Sequence, residues 1–196
     1  MKPILKYGML PVALGAFLTA TVVSASDTTT PTYETTLYGT IDATTARAYA
    51  DFLSKVPDHS TVKVNVNSPG GMLYDAYELI YLNESAKKRD IKIVVRIGMM
   101  AASGAAVFAC SADKIEMAEY SQILFHSIQY SNGLVGQTAV TDKNISKYDQ
   151  SIKDLYYYVK KYSSRCGLTT KEMNDIFVEG KDVTISTADY KKRVGK

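Results

Sequence analysis

The stretch Ile91–Ile97 is a near-continuous apolar run, and it leads directly into Gly98-Met-Met-Ala-Ala-Ser-Gly-Ala-Ala106. An apolar strand without alternation is what a sheet needs when both of its faces are covered. The flanking sequence supplies the covers. Thr36–Ile41 reads as a first strand, Asp42 stands where a helix N-cap belongs, and Ala43–Val56 carries helical apolar periodicity. Thr61–Asn67 alternates, with Val62, Val64 and Val66 on one face. Ser68-Pro-Gly-Gly71 is expected to break that strand. Met72–Lys88 reads as a helix with Leu73, Ala76, Tyr77, Ile80 and Ala86 among its inward positions. A short helix is expected over Ala102–Ala112, short strands over Lys114–Met117 and Gln122–His126, and a long helix rich in Tyr, Lys and Leu over Lys143–Ser164. The order strand-helix-strand-helix-strand-helix predicts an α/β fold with right-handed crossovers.

A chain of 196 residues can enclose one sizeable core, and 46% hydrophobic with 22% charged residues places it among globular rather than disordered sequences. A net charge of +3 is too balanced to argue for a nucleic-acid partner. Lys2 and Lys6 border an apolar run from Tyr7 to Val23, and Val23-Ser24-Ala25 offers short residues for cleavage. Residues 1–25 therefore read as a secretory signal peptide or, second, an N-terminal membrane anchor. Residues 26–35 read as a polar linker and 36–196 as one domain. The expected location is outside the cytoplasm, periplasmic or secreted. An exported chain can oxidise Cys110 and Cys166, its only cysteines, into a bridge; otherwise they are small buried hydrophobes. Two cysteines and two histidines, His59 and His126, lack zinc-ligand spacing, so no metal or cofactor is expected.

Four groups carry chemistry. Ser103 follows a strand and opens a helix, which exposes a side chain at the C-terminal edge of a sheet, where α/β folds place their sites. Gly104 lets a backbone N–H approach a ligand at a helix N-terminus. Gly70 and Gly71 can turn backbone N–H groups outward as anion donors. His126 ends an apolar strand and can serve as the base that a serine nucleophile requires. Each has a plainer reading alone: a helix cap, a simple turn, a structural histidine. Their coincidence favours acyl-transfer chemistry. A third group should orient the imidazole, and Asp175 and Asp182 are both candidates; Asp182, in a strand-like run, can be held more rigidly.

With Asn67-Ser-Pro-Gly-Gly71, Ala101-Ala-Ser-Gly104 and Phe125-His126 in this order, the chain resembles the proteolytic subunit of the Clp protease from about Thr36 to Tyr190. The resemblance implies a Clp/crotonase-like fold of repeated β-β-α units with a protruding long helix, here Lys143–Ser164. It implies a serine-type endopeptidase with Ser103 as nucleophile, His126 as base and Asp182 as acid, four residues before Ser186. Gly70 or Gly71, with Gly104, would hold the oxyanion. Gly104 stands where the family often has Met, and Ser127-Ile128 stand where it has Gln-Pro. Polypeptide substrates and self-association are implied as well. The family's N-terminal ATPase-docking loops are not recognisable, so an ATPase partner and a fourteen-subunit barrel are not expected. Ala102-Ser-Gly104 and Ala112-Asp-Lys-Ile115 also resemble the signal peptide peptidase A family, which uses a lysine base. No segment matching that lysine's surroundings is found, and His126 favours the Ser-His-Asp reading.

Overall fold

The structure is a computed structural model and describes residues 21–23, 30–131 and 137–194. Except for 21–23, the segment 1–25 read as a signal peptide or anchor lies outside the described residues, as do 24–29. In chain order the elements are β1 (Thr21–Val23), β2 (Thr32–Ile41), α1 (Ala43–Ser54), β3 (Thr61–Gly71), α2 (Leu73–Lys87), β4 (Lys92–Ala102), α3 (Gly104–Ser111), β5 (Lys114–Met117), β6 (Gln122–Phe125), β7 (Gln129–Ser131), β8 (Gln137–Ala139), α4 (Gln150–Ser163), α5 (Thr170–Phe177), β9 (Val183–Ser186) and α6 (Thr187–Val194).

The apolar runs become the centre of a seven-stranded sheet. Strands β2, β3 and β4 pair in parallel, and β1 closes one side antiparallel to β2. Strand β4 divides its other edge between two partners. Its residues Val94–Ile97 pair with β5 and Met100–Ala102 pair with β6, both in parallel. Strand β9 then pairs antiparallel with β6. Val62, Val64, Val66, Ile93, Val95 and Ile97 are fully buried. The alternating half of β3 and the continuous run of β4 thus meet in one core, as burial of apolar surface demands.

Three expected boundaries move. Strand β2 begins at Thr32, so the last residues of the expected linker are strand; Thr35 and Leu37 point into the core and Thr32 pairs with Thr61. Strand β3 does not stop at Ser68. A bulge between Val66 and Ser68 absorbs the irregularity, and Thr40 and Ile41 still pair with Gly70 and Gly71. The long helix expected from Lys143 begins only at Gln150. The Asn144 side chain accepts from Thr141 N at 2.8 Å and donates to Ala139 O at 2.9 Å, a local alternative to helical bonding. Asp149 then caps the helix, accepting from Ile152 N at 3.0 Å. Helix α4 packs on α3 and buries Ile152, Leu155, Tyr156, Val159 and Tyr162.

A disulfide joins Cys110 of α3 to Cys166, just beyond α4. At the C-terminal end, Thr169 and Glu172 form a capping box on α5, and Arg193 of α6 donates to both Glu172 carboxylate oxygens at 2.8 Å. Arg193 and the cap lower the Glu172 pKa from 4.5 to about 2. A depressed carboxylate contributes stability that is complete above its unfolded pKa and lost as pH falls through its folded one. Glu172→Gln keeps the cap but loses the charge. It should cost about 1–2 kcal/mol at pH 7, discounted for solvent screening, and nearly nothing at pH 2. Urea unfolding of both proteins at the two pH values measures this; an equal loss at both would exclude the ion pair as its source.

Among the described residues no helix is long and apolar enough to cross a membrane, and no group of three or more His, Cys, Asp or Glu side chains could hold a metal ion.

Candidate active site

The sheet ends in a sharp turn at Ser103. Ala102 closes β4 and Gly104 opens α3, leaving Ser103 alone between them at φ 55°, ψ −125°. A side chain in this region costs about 1–3 kcal/mol and persists only where the surroundings hold it. Here Ser103 N donates to Leu124 O at 2.9 Å, and Ser103 O accepts from Ala106 N and Val107 N at 3.0 and 3.2 Å. A strand-to-helix turn of this kind lifts the hydroxyl above the sheet edge. The Ser103 hydroxyl caps no N–H of α3.

Two glycines make room for the turn. A Cβ on Gly70, which has φ 91°, would lie 2.6 Å from both Ser103 Cβ and Ala102 O. A Cβ on Gly104 would lie 2.7 Å from Ala76 Cβ. The two upstream glycines differ as donors. Gly70 N already donates to Ser68 Oγ at 3.1 Å, and that hydroxyl donates onward to Gly39 O at 2.6 Å. In this structure the Gly70 N–H is engaged within the turn, while its α-carbon packs directly against Ser103. Gly71 and Gly104 both line the cavity that contains Ser103, whereas Gly70 does not.

His126 follows β6 directly and lines the same cavity. Its Nδ1 lies 2.6 Å from Ser127 O. A carbonyl only accepts, so Nδ1 carries the proton and Nε2 keeps its lone pair. The Ser127 hydroxyl donates to Val140 O, anchoring the residue after the histidine. Among the described residues no hydrogen bond joins Ser103 to His126.

The two candidate acids separate clearly. Asp175 is paired with Lys171 and Lys181, and Lys171 holds its carboxyl below the usual range. It does not line the cavity. Asp182 precedes β9 and is exposed, with no hydrogen bond or ion pair among the described residues. Phe125 pairs with Val183, so one further step along the antiparallel register sets Asp182 opposite His126. Asp182 does not line the cavity either.

The cavity encloses about 660 Å³, ample for a large side chain and its backbone. Ala76, Ile80, Val107, Ile128, Leu155 and Val159 give it apolar walls, and Gln129, Tyr130, Gln137 and Asp149 stand at its exposed mouth. No lysine lines it among the described residues. Sequence reasoning missed the far wall, because α4 and the β7–β8 hairpin reach the serine only through tertiary packing. The one local signal was Asp149 three residues before the apolar position Ile152 of an amphipathic run.

A search of curated proteins returns no match to the chain. The family model for the Clp protease matches residues 26–183, and the α/β sheet with its six helices is consistent with a Clp/crotonase-like fold. Because that match spans most of the chain and takes in both the Ser103 turn and His126, the chain belongs to the Clp protease family, a family of peptidases.

Proposed function

We propose that this chain is a serine-type endopeptidase. The observation that carries the reading is Ser103, held at a strained strand-to-helix turn, on the wall of one cavity with His126. In this mechanism Ser103 Oγ attacks a peptide carbonyl while His126 Nε2 takes its proton, then returns it to the leaving amine. The N–H groups of Gly71 and Gly104 stabilise the oxyanion, the second helped by the α3 N-terminus. Ser127 O fixes the tautomer of His126 in the resting state. Asp182 orients the ring and stabilises its charged form, a role that the β6–β9 register supports.

The substrate is a polypeptide and the chain self-associates. Export to an oxidising compartment, periplasmic or extracellular, is supported by the Cys110–Cys166 bridge. An ATP-driven unfoldase has no part in this scheme.

A serine-directed fluorophosphonate tests the reading. Purified protein should be labelled, and both Ser103→Ala and His126→Ala should abolish labelling. Labelling that survives His126→Ala would replace this base by another, in the manner of a Ser-Lys peptidase. Folded protein that takes no label would instead favour a non-catalytic scaffold.

A further inference from the structure

The mouth of the cavity carries one formal charge. Of the described side chains lining it, Asp149 is the only carboxylate, and no lysine or arginine is among them. Three tyrosines, Tyr74, Tyr77 and Tyr130, line it with exposed rings. Tyr130 stands edge-to-face on Tyr148, with centroids 5.1 Å apart, and Tyr148 is the residue before Asp149. The faces of aromatic rings are electronegative, and a carboxylate beside them makes the whole mouth attractive to a cation. The walls behind are apolar, which suits the methylene stem of a long basic side chain whose head stays in water.

Resting on the peptidase reading, we propose that Asp149 is a specificity-determining residue that selects peptides with lysine or arginine beside the scissile bond. The Asp149 carboxylate accepts from Ser151 Oγ at 2.6 Å and from Ile152 N at 3.0 Å; among the described residues no cation is hydrogen-bonded to it, and Lys153, one turn on, is the cation whose charge reaches it. The Ser151 hydroxyl and the Ile152 N–H, with the Ser151 N–H and the Lys153 charge, hold its carboxyl below the usual range. Lysine and norleucine share a stem and differ in the charge at its end, which makes them the direct comparison.

The test uses fluorogenic peptides that carry either lysine or norleucine at each position flanking the scissile bond, with wild type and Asp149→Asn. Asparagine caps a helix as well as aspartate does. At one position, wild type should favour lysine over norleucine in kcat/KM by about fivefold at low salt, the upper range for an exposed ion pair. The preference should shrink at 0.5 M salt through screening, where the Debye length is about 4 Å. In Asp149→Asn the ratio should fall close to one. A mere capping defect would lower both rates in proportion and leave the ratio unchanged. Cleavage without any basic preference, or a preference that survives Asp149→Asn, would overturn the assignment while leaving the peptidase intact. Protein that cleaves no peptide and leaves Ser103 unlabelled by fluorophosphonate would remove the peptidase reading itself, and this inference with it.

Discussion

Ser103→Ala should lower kcat for peptide hydrolysis by about 10⁴- to 10⁶-fold, and His126→Ala by a similar factor. Combining them should cost little more than either alone. The reason is that nucleophile and base act as a unit: without the base the hydroxyl stays protonated, and without the hydroxyl the base has nothing to activate. The remaining rate comes from binding and the oxyanion donors, which neither substitution touches. Asp182→Ala should cost less than either. Its carboxylate is exposed, and the carbonyl of Ser127 already holds the imidazole tautomer at 2.6 Å. Single-turnover kinetics on the four proteins decide the matter. Losses that multiply would show that Ser103 and His126 work independently, and a silent Asp182→Ala would remove Asp182 from the mechanism and return attention to Asp175.

Removing the disulfide should be the most damaging change to stability. Cys110 and Cys166 are separated by 56 residues, and closing a loop of that size lowers the entropy of the unfolded chain by an amount worth about 4 kcal/mol. Measured effects usually fall below that limit, so Cys110→Ala/Cys166→Ala should lose about 2–4 kcal/mol out of a total of roughly 5–15. That corresponds to a fall of about 5–15 °C in Tm for a domain of this size. Both sulfurs are buried, so a reductant should act slowly on native protein and quickly once urea opens it. Urea unfolding of both proteins, with intact mass in the presence and absence of reductant, tests this. Two free thiols in native protein would refute the bridge.

The sheet was legible because burial writes a direct pattern. Val62, Val64 and Val66 alternate where one face of β3 meets the core, and Ile93, Val95 and Ile97 do the same in β4, whose other face carries Lys92, Val94 and Arg96 and is only partly covered. Asp42 marks the start of α1, and its carboxylate does accept from Thr45 N at 2.9 Å. The failures have a common cause, which is side chains that substitute for backbone partners. Ser68 uses its hydroxyl to carry β3 through a Pro-Gly-Gly sequence that reads as a stop, and in doing so it occupies the N–H of Gly70. Asn144 folds back on Ala139 and Thr141, so a run with helical periodicity forms only a 3-10 turn at Ile145–Lys147 and does not become α-helix until Asp149 caps it. Ser103 and His126 were recognisable as residue types at strand ends. Their shared cavity was not, because its far wall comes from residues that follow Ser103 by about fifty positions and meet it only in the folded chain.

The split edge of β4 has a dynamic consequence. Ala102 pairs with Leu124, Ser103 N is bonded to Leu124 O, and His126 lies two residues further along the same backbone. Ser103 and His126 are therefore carried on a single hydrogen-bonded ladder, the geometry that would keep them together in the proposed mechanism. The opposite wall of the cavity belongs to α4, a separate element. Breathing of the cleft on the microsecond-to-millisecond scale would then admit or expel a peptide without altering the distance over which the proton is passed.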